Sequence, residues 1–115
     1  MHETSLVEFT LNAVERKCLE VGIRQVKSIT LVIGEFRGAL PDLMQEAFHI
    51  LTRRRPVFFG ASLDIIEKDL VLRCGACGHE FRTEDLHDVR CPACGSSSYV
   101  IAQGDELYIE SFEGE

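Results

Sequence analysis

The sequence predicts an α+β protein, a three-stranded sheet with two helices on one face and a zinc-ribbon lobe inserted near its end. Three observations predict it. Two stretches carry apolar residues at helical spacing, three have strand composition, and four cysteines in two C-x-x-C pairs fall between the last two strands.

From Ser5 to Val21 the apolar residues Val7, Leu11, Val14, Cys18 and Val21 recur at intervals of three and four, with Leu6 and Ala13 widening the stripe. This is a first amphipathic helix, and Gly22 is a natural left-handed stop for it. The segment Val26 to Ile33 is rich in β-branched residues and puts Ile29, Leu31 and Ile33 on one face, which predicts a strand. Gly34 to Gly38 forms a turn. Pro41 then stands where a first helical turn tolerates proline, and Leu40, Leu43, Met44, Ala47, Phe48 and Leu51 repeat at helical spacing. The second helix ends in Arg53, Arg54 and Arg55, cations suited to a helix C-terminus, and Pro56 forbids continuation. Residues 61–72 and 105–112 read as two further strands. The expected organisation is one α+β domain made of residues 1–72 and 99–115, interrupted by a Cys₄ ribbon domain at 73–98.

With 115 residues the chain suffices for one modest core plus a module too small to fold on apolar burial alone. Lys and Arg number 12 against 19 Asp and Glu, a net charge of −7, so the field repels nucleic acid and anionic membrane and favours a cation or a basic protein surface. No apolar run approaches the roughly 18 to 20 residues of a bilayer span, and the start lacks the basic-then-apolar order of a signal peptide. The expected compartment is the cytoplasm, where paired cysteines signify metal more readily than disulfides.

Cys74-Gly75-Ala76-Cys77 and Cys91-Pro92-Ala93-Cys94 are separated by thirteen residues, and each is followed by glycine, Gly78 and Gly95. Two thiolates three positions apart grip one tetrahedral ion when the backbone curls around them, and the glycines allow the positive φ that the curl needs. Four thiolates close the coordination sphere, so a zinc ion held there is structural and supplies folding energy to the lobe. A mononuclear iron site, a redox dithiol pair and two disulfides are the competing readings. Around the segment Arg73, Arg82 and Arg90 are offset by Glu80, Glu84, Asp85 and Asp88, so there is no basic stripe for nucleic acid. His79 and His87 could substitute for a cysteine ligand, although surface or hydrogen-bonding roles are the default.

The start, Met1-His2-Glu3, offers a second kind of site. A histidine at position two can combine the Met1 amine, its own amide nitrogen and imidazole, and the Glu3 amide nitrogen around one ion. Planar deprotonated amides suit square-planar Ni(II) or Cu(II) and fit tetrahedral zinc poorly. Protons compete for those nitrogens, so affinity falls with pH. On these residues alone, a chance histidine and a glutamate favoured near a helix N-terminus are the stronger account.

Taken together, the start with Ser5 and Leu6, the strand and turn Leu31-Val32-Ile33-Gly34-Glu35, Pro41-Asp42-Leu43, both C-x-x-C knuckles and Gly104-Asp105-Glu106-Leu107 give the whole chain a resemblance to one family. It resembles the hydrogenase nickel-incorporation proteins of the HypA/HybF family. The resemblance implies a nickel metallochaperone, not an enzyme, that binds Ni(II) at Met1, His2 and Glu3 and zinc at Cys74, Cys77, Cys91 and Cys94. It implies as partners a nickel-binding GTPase of hydrogenase maturation and the [NiFe]-hydrogenase large-subunit precursor, with the chain a monomer or weak homodimer. Thr4 stands where the family usually has a larger apolar residue, which leaves the ligands untouched. The rival expectation is a zinc-ribbon interaction adaptor with no nickel role. Cys18, on the apolar stripe of the first helix, and His49, in the second, have packing as their default role.

Overall fold

A computed structural model describes residues 3–115 of the chain. Helix α1 spans Glu3–Val21 and buries Leu6, Val7, Leu11, Val14 and Cys18 along one side, as the spacing predicts. Val21, the last member of the expected stripe, is exposed, because the chain turns away at Gly22, whose φ is 79° and whose N–H donates to the Cys18 carbonyl. Strand β1 (Val26–Gly34) follows, then a single 3₁₀ turn at Glu35–Arg37 and helix α2 (Pro41–Thr52). Leu40 caps α2 in an extended conformation and Pro41 opens it, where the missing N–H costs nothing. A second 3₁₀ turn begins at Pro56, directly after the three arginines that follow α2.

Strand β2 (Ser62–Lys68) lies parallel to β1, with Ile29 opposite Leu63 and Leu31 opposite Ile65. A parallel pair needs a long crossover, and α2 supplies it. The last strand, β6 (Leu107–Gly114), runs antiparallel on the other side of β1, giving the order β2-β1-β6. Central β1 is therefore paired on both edges. Its Ile29, Leu31 and Ile33 meet Leu6, Val7, Leu11 and Val14 of α1 and Met44, Ala47 and Phe48 of α2 in one buried cluster, closed by Phe58 and Leu63. Each of these large side chains contributes about 1.5–3 kcal/mol by leaving water.

The strand expected over 61–72 is two strands. β2 ends at Lys68, and β3 (Val71–Cys74) starts a second sheet of order β4-β3-β5, with β4 at Glu80–Phe81 and β5 at Tyr99–Gln103. The break has a local cause: the Leu70 N–H donates at 2.7 Å to a Glu35 carboxylate oxygen instead of a ladder partner. β5 is not among the expected strands. It pairs with β3 from Val71 opposite Gln103 to Cys74 opposite Tyr99, so the second sheet reaches beyond 73–98 on both sides. Its core is small, with Leu70, Leu72 and Val89 buried and Phe81 and Ile101 against them.

The two sheets meet where backbones approach too closely for side chains. The Phe36 N–H donates to the Gly104 carbonyl at 2.9 Å, and a Cβ on Gly34 would collide with that same carbonyl. A Cβ on Gly104, whose φ is 112°, would lie 2.6 Å from the Leu70 Cα. The resulting molecule is long, 55 × 25 × 16 Å, with a radius of gyration of 17.8 Å. A compact chain of this length would give about 13 Å.

If close backbone approach fixes this junction, Gly34→Ala should destabilise the protein by about 2 kcal/mol or more, a fall in Tm of roughly 10 °C by thermal denaturation. Gly38→Ala, at a φ of 70° but with open space around it, should cost only about 1 kcal/mol. A loss at Gly34 no larger than that at Gly38 would show that close approach at Gly34 does not fix the junction.

Candidate metal centre

The second sheet and its loops bring Cys74, Cys77, Cys91 and Cys94 together with all four sulfurs within 4.8 Å of one another. Among the described residues no other group of three or more histidine, cysteine or carboxylate side chains has this closeness. The two knuckles are built alike. In each, the first cysteine is buried and the second exposed. The glycine after each pair has φ near 78° and donates its N–H back to the carbonyl of the first cysteine, Gly78 to Cys74 at 3.0 Å and Gly95 to Cys91 at 2.8 Å. The N–H of each first cysteine is fixed in turn, Cys74 to the His79 carbonyl and Cys91 to the Ser96 carbonyl, both at 2.9 Å.

Amide hydrogens point at sulfur, as a thiolate requires. The N–H groups of Ala76 and Cys77 lie 3.3 and 3.4 Å from the Cys74 Sγ, and the Ala93 N–H lies 3.4 Å from the Cys91 Sγ. The Cys77 and Ala76 amides hold the Cys74 thiol well below its ordinary value, at about 6. At Cys94 the Ser96 N–H favours the thiolate, but the Cys74 thiol and burial outweigh it and push the group up to about 12. Cys77 is raised too: the His79 N–H works against the shift, and the Cys91 thiol and burial carry it. Four thiols this close cannot all ionise unaided, because like charges in one place oppose one another.

The donor set fits a tetrahedral thiolate ion. With metal–sulfur bonds of about 2.3 Å, a tetrahedron has sulfur–sulfur edges of about 3.8 Å. The Cys74–Cys94 and Cys77–Cys91 sulfurs stand 3.5 and 3.6 Å apart, and all five cysteines of the chain are free thiols. No histidine joins the group. His79 stacks on Phe81, with ring centroids 6.3 Å apart and planes within 7°, and the exposed His87 lies in a loop tied by its own N–H to the Asp85 carboxylate.

Met1 and His2, the other predicted ligands, lie outside the described residues. Glu3 is described as the first residue of α1, and one of its carboxylate oxygens accepts from the Leu40 N–H at 3.0 Å. The start of α1 is thereby tied to the residue that caps α2. Cys18 is buried and its thiol raised by desolvation, the state of a packing residue and not of a nucleophile. Sequence reasoning missed Glu35, which takes the Leu70 amide at 2.7 Å and Arg82 at 3.5 Å, while Arg82 also reaches Asp69 at 2.9 Å. The two Glu35 contacts join residues 35 and 47 positions apart, and no local pattern announces them.

Over residues 1–114 the chain matches the family model described as hydrogenase/urease nickel incorporation, metallochaperone, hypA. It is 36% identical over 115 residues to the hydrogenase maturation factor HypA of Moorella thermoacetica, with both chains covered completely. Against the HypA of Chlorobium luteolum it is 37% identical over 111 residues, 96% of this chain and 93% of that one. Among solved structures it is similar to the solution structure of the Ni metallochaperone HypA from Helicobacter pylori, with a TM-score of 0.70, 28% identity and coverage of 99% of this chain and 97% of the other.

Metal binding at the four cysteines should release at least two protons at neutral pH, from Cys77 and Cys94, both held above the ordinary thiol value. Affinity for zinc should therefore climb as pH rises, which titration calorimetry in buffers of different ionisation enthalpy would read. Stripping the ion with a chelator should erase amide protection across 71–103 and leave α1 and α2 protected. Loss of protection throughout the chain would show that both sheets depend on the ion.

Proposed function

Because the chain belongs to the HypA family of hydrogenase/urease nickel-incorporation metallochaperones, we propose that it carries Ni(II) on its first three residues and passes it to a [NiFe]-hydrogenase under maturation. The match along residues 1–114 is the observation that carries this reading, since it includes the Met1-His2-Glu3 start as well as the cysteines. The Met1 amine, the His2 amide and imidazole and the Glu3 amide would hold the ion, here the cargo, in a plane. Such a site is open on two sides. An ion held there can leave to a better-matched set of ligands, which is what delivery requires. The Glu3 carboxylate, engaged by the Leu40 amide, gives the chelate a fixed origin at the end of a helix.

Cys74, Cys77, Cys91 and Cys94 would hold zinc, and that ion would be structural. Its four thiolates leave no position for water, so it would serve the fold of the lobe formed by the second sheet, and catalysis would have no foothold there. We place the chain in the cytoplasm, with a nickel-binding GTPase as its partner and the hydrogenase large-subunit precursor as recipient. A lobe that keeps its own ion tightly and a terminus that gives its ion up would divide the two metals by ligand chemistry alone.

Calorimetric titration of nickel into zinc-loaded protein with a native N-terminus, beside His2→Ala, tests this. Wild type should bind one nickel per chain, and the variant should bind at least about 100-fold more weakly while retaining its zinc and its circular dichroism. Equal binding by both, or by neither, would leave a zinc-ribbon interaction adaptor as the better account.

A further inference from the structure

A sheet edge is a row of unpaired backbone groups, and this chain guards three of its four edges. β2 carries Asp64, Glu67 and Lys68, β6 carries Glu110 and Glu113, and β4 is two residues long with Glu80 in it. The fourth edge is β5, Tyr99–Gln103, on the outside of the order β4-β3-β5. It has neither charge nor proline, and from Cys91 to Gly104 the chain contains no Asp, Glu, Lys, Arg or His. Its apolar side chains are in water: Val100 is 53% exposed and Tyr99 40%.

The ladder decides which backbone groups of β5 face outward. Cys74 lies opposite Tyr99, Arg73 opposite Val100 and Leu72 opposite Ile101. One step further on, the Gly75 N–H donates to the Ser98 carbonyl at 2.9 Å, and bonded pairs alternate with unbonded ones in an antiparallel ladder. Val100 therefore spends its N–H and C=O on Arg73. Tyr99 and Ile101 turn theirs to the open side, where no further strand lies. The Cys74 N–H agrees with this alternation, since it points away from Tyr99 and donates to the His79 carbonyl.

We propose that β5 is a self-association edge, pairing antiparallel with β5 of a second copy about a two-fold axis at Val100, whatever the first three residues bind. In this register the outward groups of Tyr99 and Ile101 bond to those of Ile101 and Tyr99 in the other copy, and Val100 meets its own counterpart. The side chains suit the register. Val100 is the most exposed apolar residue of the strand, and Tyr99 comes to lie across from Ile101, an aromatic and β-branched pair. Charge selects a second copy as the occupant. Two chains of net charge −7 repel each other, and the uncharged stretch from Cys91 to Gly104 lets them meet with no like charges directly opposed. Arg73, opposite Val100, is already held by Glu80 at 3.2 Å. The pairing also closes on itself: with both β5 strands joined, the outer strands are the two-residue β4 of each copy, too short to add a third chain. So small an interface belongs to the weak, transient class, with a Kd on the order of 10–100 µM.

Sedimentation equilibrium of the zinc-loaded full chain, over concentrations spanning that Kd, tests this on wild type, Val100→Lys, Val100→Glu and an equimolar mixture of the two variants. Val100 is exposed, so circular dichroism and zinc content should match wild type in both. Wild type should dimerise. Each variant alone should self-associate at least about tenfold more weakly, because like charges then face each other across the axis, and the mixture should recover most of the loss as Lys meets Glu. A merely weakened fold would not be rescued by mixing. The proposal is overturned by a wild type that stays monomeric throughout, by variants that dimerise as wild type does, or by a mixture that associates no better than its components.

Discussion

The second sheet hangs from the first by a place where three stretches of backbone touch with nothing between them. Gly34 ends the central strand, Gly104 leads into the last one, and Leu70 lies on the path out, so that the Gly104 carbonyl, the Phe36 amide and the Leu70 Cα share one small volume. Everything distal depends on that contact. The Glu35 carboxylate reaches across it to the Leu70 amide, and Arg82 comes back from the far loop to Glu35 and Asp69. These ion pairs are exposed and worth little individually, on the order of 0–1 kcal/mol each. The glycine contact is what sets the geometry, and the charges trim it.

Once launched, the second lobe has little of its own to fold on. Its three fully buried apolar side chains are no match for the fifteen-residue cluster under the helices. A bound ion makes up the difference. The knuckle amides aim at sulfur, and their glycines close the curl, yet the thiols still oppose one another's ionisation. This is a frame that waits for a divalent cation to resolve its electrostatics.

The sequence displayed most of this architecture because its strongest signals are local. The α1 stripe, Pro41 at the opening of α2, and the cysteine spacing with its glycines each depend on residues a few positions apart. The division of the 61–72 segment at Leu70 was hidden, since the polar Glu67-Lys68-Asp69 between two apolar runs reads as well as a solvated strand face as it does as a change of sheet. β5 escaped for a related reason: Tyr99-Val100-Ile101-Ala102 has strand composition but follows directly on a knuckle, and its partner Val71–Cys74 had been spent on another strand. Glu35 and Arg82 were illegible because their meaning lies in residues far along the chain. For the Met1-His2-Glu3 start, spacing names no metal without the family, and only Glu3 lies among the described residues.

Four thiolates around a divalent ion carry two more negative charges than the ion cancels. The formal charge of −7 counts the cysteines as neutral, so a zinc-loaded chain would stand at −9. The gain is localised at one end of a body 55 Å long. Residues 71–103 hold three cations against four carboxylates, a formal −1, while the rest of the chain stands at −6, so filling the closed site would take the ribbon to −3 and spread the negative field along the molecule. Cations would then be attracted to the ribbon as well as to the helix-bearing end, within about a Debye length of either, and loaded and stripped protein would separate by electrophoretic mobility as well as by fold.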